Sequence, residues 1–166
     1  MLLTLLLSLV LIVALFGLIY AAVGLIQNRK FFTTAPKDIQ AAAKDHPERF
    51  RGAHALGWKL AILCILMMVG AFVYGGYDGV KRGFSFWQHF LRFAIMLYLW
   101  NAFDIVCLDW LLTKSHFFQY FYPETEGCEG YHSFGFNRKG QTIRILVFPF
   151  VAALMALLTM WIGGQL

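Results

Sequence analysis

Charged side chains are scarce in this sequence. They make up 14% of its 166 residues, against about a quarter in a typical soluble domain. That shortfall argues against water as the main solvent. Cysteine is limited to Cys64, Cys107 and Cys128, an odd number with two members inside apolar runs, so a disulfide framework is excluded. No stretch alternates apolar and polar residues with period two, which leaves no basis for a β-barrel. No repeat of solenoid length is visible. Nothing orders a nucleophile, a base and an orienting group into a catalytic signature. No cofactor is assigned. The basic residues are divided among segments beside apolar runs, a poor pattern for nucleic acid.

Apolar residues are abundant: 60% of the chain is hydrophobic and mean hydropathy is +0.64. A helix needs about 20 predominantly apolar residues to cross the hydrocarbon of a bilayer. Four stretches qualify, at about 1–26, 58–74, 86–112 and 143–162. Backbone groups in lipid must bond within their own segment, so helices are expected. The expected fold is a single all-α membrane domain, a bundle of four transmembrane helices. The first stretch lacks a basic leader, has a long apolar run and is followed by Arg29 and Lys30, which reads as a retained anchor rather than a cleaved signal.

Lys and Arg set the expected orientation. Segment 27–57 holds Arg29, Lys30, Lys37, Lys44, Arg49 and Arg51, and segment 113–142 holds Lys114, Arg138 and Lys139. Segment 75–85 has only Lys81 and Arg82. The first and third connections are therefore expected in the cytoplasm and both termini outside, in a plasma membrane of bacterial type. The net charge of +5 fits contact with anionic headgroups at the inner face. Thr34, Pro36 and Asp38 predict a short interfacial helix over 38–45. Asp45, Pro47 and Glu48 predict a second start that feeds directly into the second span. The glycine-rich run Gly75–Gly79 reads as a tight connection.

Small residues recur along three spans: Ala14, Gly17, Ala21 and Gly24; Gly57, Ala61, Cys64, Ala71 and Gly75; Ala152, Ala156, Thr159 and Gly163. Such stripes permit close helix approach. They fit one compact bundle or contacts within a homo-oligomer. Pro149 falls in the first turns of the expected fourth span, where it introduces a kink.

The third span is unlike the others. It carries His89, Arg92, Asn101, Asp104 and Asp109. A charge at mid-membrane costs about 2.5–3.5 kcal/mol on insertion scales. His89 and Arg92 lie near the outer end, where an arginine snorkels cheaply. Asn101 and Asp104 are three residues apart and share a face. At about 1.5 Å per residue, Asp104 lies roughly 12 Å from the inner end of the span. That depth suits a proton or cation site, or polar glue between helices. Asp109 is placed to meet Lys114, Arg138 or Lys139 at the boundary.

The segment after this span is rich in aromatics, unlike a disordered linker. His116, Glu124, Glu126, Cys128, Glu129 and His132 are metal-ligand types, but Cys128 and His132 are not matched by a second pair at zinc-site spacing. Arg138, Lys139 and Arg144 are candidate phosphate or headgroup ligands. The favoured reading is binding or transport of a small ligand, proton or cation along Asn101, Asp104 and Asp109 and under the third connection. Two alternatives stand beside it: an enzyme acting on a lipid or lipophilic substrate at the inner leaflet, and a non-catalytic membrane subunit or scaffold.

Overall fold

The computed structural model describes residues 1–112, 114–133, 135 and 137–164, with the side chains of 108, 109, 111 and 112 outside the description. Helices account for all regular structure among the described residues. Helix α1 spans Leu2–Ile19 and continues as a π-helix over Tyr20–Ile26. Helix α2 is Lys37–Ala42 and α3 is Ala53–Lys81. Helix α4 is Phe86–Phe103, continuing as a π-helix over Asp104–Leu112. Helix α5 is Phe117–Phe121 and α6 is Arg138–Ile162. Four helical segments, of 25, 29, 22 and 25 residues, are long and apolar enough to cross a membrane.

The long helices outrun the apolar stretches that announce them. Helix α3 continues through Gly75, Gly76 and Gly79, where a tight connection was expected. Each glycine in a helix interior costs about 1 kcal/mol in propensity. Here the missing side chains admit neighbours. A Cβ on Gly75 would lie 3.3 Å from Leu7, one on Gly76 would lie 3.1 Å from Thr159, and one on Gly79 would run into the His89 ring. The chain turns only after Lys81, at Gly83 with φ 66°, and Gln88 accepts from the Ser85 N–H at 2.9 Å to start α4.

The first connection departs from expectation at one point. The start at Pro36 and Asp38 gives α2, but Asp45, Pro47 and Glu48 open no helix. Their carboxylates serve other donors. Asp45 accepts from the Arg29 N–H at 2.8 Å, and Glu48 accepts from the Gly52 N–H at 3.0 Å. Gly52 takes φ 87°, so α3 begins only at Ala53. In the fourth span, α6 begins at Arg138. Pro149 is thus at mid-helix, not in the first turns.

Helix α1 packs against α3 and α4, and α4 packs against α6. Their shared core includes Leu7, Leu11, Phe93, Met96 and Phe148. The small-residue stripes meet within the chain. A Cβ on Gly17 would lie 2.8 Å from Cys64 Sγ, and one on Gly57 would lie 2.7 Å from Ile26. On α6, Ala152 and Ala156 are fully buried. Large apolar side chains such as Leu66, Val73, Phe150 and Ile162 point outward, an exposure that water does not favour over so wide a surface.

Arg92 does not snorkel. Its side chain is 5% exposed, pairs with Asp78 at 2.9 Å and donates to the Gly75 carbonyl at 2.6 Å. The guanidinium also sits 4.5 Å from the centre of the Phe84 ring. The glycine-rich segment thus supplies the counter-ion.

Candidate functional site

The first and third connections fold together over one end of the long helices. Val23, Phe32, Ile39, Phe121, Tyr122 and Tyr131 form a second apolar core there. Polar contacts fasten it. Gln27, at the left-handed end of α1, donates to the Phe121 carbonyl at 3.2 Å. The Gly130 N–H donates to Asp38 at 2.7 Å. A Cβ on Gly130 would lie 2.5 Å from both Pro36 and Asp38, so only glycine permits this approach. His46 Nε2 meets both oxygens of Glu124, at 2.9 and 3.1 Å, and the Lys44 N–H adds a bond at 2.9 Å.

The electrostatics of this cap follow from burial and neighbours. Burial works to raise the Glu124 pKa, but the bonds from His46 and the backbone outweigh it and hold the carboxyl below its ordinary range. Tyr122 is fully buried between Phe32 and His46, with ring centroids 4.7 and 5.0 Å away. Burial, then the charges of Glu124 and Asp45, push its phenol well above the usual value. Burial and Asp38 likewise raise the Cys128 thiol. Neither group is an activated nucleophile.

Beneath the cap lies a cavity of about 280 Å³. Leu15, Leu18, Ile19 and Val23 of α1 form one wall, and Phe32, Ile39 and Phe118 close the cap side. Leu15 is four residues before the end of α1 at Ile19, about 6 Å at 1.5 Å per residue, and the π-helical turns of Tyr20–Ile26 lie between that point and the cap. Its polar lining comes from Thr34, Asp104, Tyr131, Asn137 and Arg144. Arg144 Nη1 donates to Asp104 Oδ2 at 2.5 Å, and Gln141 Nε2 reaches the same oxygen at 3.2 Å. Two π-helical segments border this end, Tyr20–Ile26 and Asp104–Leu112. Wider helical turns of this kind recur at functional sites.

The candidates named from sequence are dispersed. Asp104 and Arg144 come together on the cavity wall. Asn101 is 2% exposed, one turn from Asp104, and its Oδ1 has no partner among the described residues. The Asp109 side chain lies outside the described residues. Glu124 turns into the cap and not toward the third span. His116, Glu126, Glu129 and His132 are exposed, and His116 Nδ1 lies 2.6 Å from Gln119. Cys128 is half-buried against the apolar core of the cap. Among the described residues no three His, Cys, Asp or Glu side chains converge as metal ligands. Arg138 and Lys139 are exposed at the start of α6, apart from the Arg144–Asp104 pair.

His46 and Gln141 escaped the sequence reading. Gln141 and Arg144 are three residues apart on α6, and Arg144 is six residues from the start of that helix. Asp104 is eight residues from the end of its own helix. Matching those depths joins the three once α6 is seen to begin at Arg138, five residues before the apolar stretch that announces it. No comparable signal marks His46, whose segment folds as an irregular loop. No protein-family model, no curated protein and no solved structure matches this chain.

Proposed function

We propose that the protein spans a membrane as a four-helix bundle, with both termini outside and the cap on the cytoplasmic face, and binds a small lipophilic molecule in the cavity. The observation that carries this is the mixed lining: apolar side chains from α1 and the cap, together with the paired Asp104 and Arg144. Ligand sites typically combine apolar walls with a few placed polar groups.

The pairing bears on the other readings. A cation or proton site wants excess negative charge, but Arg144 already balances Asp104. An enzyme reading needs a free nucleophile or base at the cavity; His46, His116 and His132 do not line it, and the carboxylate that does, Asp104, is tied to Arg144 and Gln141. A pure scaffold has no use for a lined cavity of this size.

The test is native mass spectrometry of the protein extracted with its own lipids. A retained adduct of small mass is expected. Ala22→Trp and Ala35→Trp place indoles in the cavity and should each remove the adduct while helical content persists. No adduct, or one that survives both substitutions, overturns the proposal.

A further inference from the structure

We infer that the ligand is a single-chain amphiphile with an anionic head, a carboxylate or a phosphate monoester, held by Arg144. This deepens the cavity reading above and rests on it. It concerns what the head must be and how many chains the space admits.

Size decides the chain. A volume of about 280 Å³ equals roughly nine water-sized groups at about 30 Å³ each. That accommodates a head and one chain of about eight carbons. The paired acyl chains of a bilayer phospholipid exceed what the walls enclose. The apolar side chains of α1 in the lining, Leu15, Leu18, Ile19 and Val23, suit the chain.

Charge and hydrogen bonding decide the head. A guanidinium carries five N–H donors. Among the described residues Arg144 directs one nitrogen to Asp104 and has no other hydrogen-bond or ion-pair partner. Asp104 Oδ2 takes a second donor from Gln141. The carboxylate is thus served twice, while the guanidinium keeps donors to spare. Asn137 adds an amide to the same lining. The polar lining therefore offers donors in surplus. An alcohol uses one of them. A carboxylate or phosphate takes two in parallel on the guanidinium edge. An ammonium head would approach Arg144 with Asp104 already neutralised.

The test compares four ligands of one chain length: octanoate, octyl phosphate, octan-1-ol and octylamine. Saturable binding, one per chain, is read by native mass spectrometry of protein in nanodiscs of zwitterionic lipid. At least one anion is expected to bind ten-fold or more tightly than octan-1-ol, and octylamine weakest of all. The preferred anion identifies the head. Arg144→Gln should weaken the anions far more than the alcohol, so that the ten-fold preference for the anion disappears. Asp104→Asn keeps the guanidinium and removes its competitor, so it should tighten the anions further, and it serves where Arg144→Gln does not fold. If octan-1-ol matches both anions in the unmodified protein, the anionic head is overturned and the cavity reading stands. If none of the four binds and no native adduct is found, both fall.

Discussion

The Tyr98 hydroxyl on α4 donates to the Ile145 carbonyl on α6 at 2.9 Å. Ile145 is four residues before Pro149. In an unbroken helix that carbonyl would accept from the N–H at position 149, which proline lacks. Tyr98 therefore restores across the helix interface what proline removes within the helix. Its ring also lies edge-on to Phe148, with centroids 5.7 Å apart.

Tyr98→Phe should cost about 0.6 kcal/mol, and at most about 1.7, the values for interhelical bonds in a membrane protein. Pro149→Ala supplies the missing N–H, so the same tyrosine substitution should cost less in that background. Thermal unfolding of the four variants in detergent gives the coupling directly. Equal costs in both backgrounds would show that the hydroxyl does not compensate the proline.

Arg92 and Asp78 carry the second prediction. Removing one partner of a buried pair leaves a stranded charge and costs about 3–5 kcal/mol. Asp78→Asn strands the buried Arg92 and should lower the unfolding midpoint strongly, whereas Arg92→Gln leaves Asp78 paired with the exposed Arg82 at 2.9 Å and should cost less. The double variant strands no charge and should recover much of the loss. Losses that simply add would mean that the two residues act separately.

These two contacts also mark the limits of reading the chain as a string. Hydropathy located all four long helices, because a spanning segment must be apolar along its length whatever it packs against. Helix ends were missed wherever a small or charged residue was used by a neighbour. Gly75, Gly76 and Gly79 read as a turn in isolation, yet they continue a helix that needs room for Leu7, Thr159 and His89. The polar third span was legible, since Arg92, Asn101 and Asp104 violate the apolar pattern. Their partners were not, because Asp78, Gln141 and Arg144 come from other segments and are chosen by depth, not by spacing. The cap was legible only as an aromatic-rich segment. Its hydrogen bonds join residues about 80 to 90 positions apart, such as Lys44 with Glu124 and Asp38 with Gly130.

The cap should respond to acid through Glu124. Its carboxyl titrates below the ordinary range when folded. A depressed folded pKa contributes stability that is fully present above the unfolded value, about 4.3 for glutamate. That contribution is lost as pH falls through the folded value. Protection of the third connection from limited proteolysis should therefore hold from neutral pH down to about 5 and decline below the usual glutamate range. Glu124→Gln should lower protection at neutral pH and flatten the acid decline. A variant that keeps the full acid response would place its origin elsewhere.

Orientation rests on charge. Nine Lys and Arg residues lie in segments 27–57 and 113–142, against two in segment 75–85. Positive segments stay in the cytoplasm, and the proposed orientation, with the cap on the inner face, follows that rule. Both ends of the molecule offer exposed positions to probe, Glu126 in the cap and Lys81 at the end of α3. With Cys64, Cys107 and Cys128 replaced by alanine, Lys81→Cys should react with a membrane-impermeant maleimide on intact cells. Glu126→Cys should react only after the membrane is opened. The opposite pattern would place the cap outside, and the ligand would then have to enter from the outer leaflet.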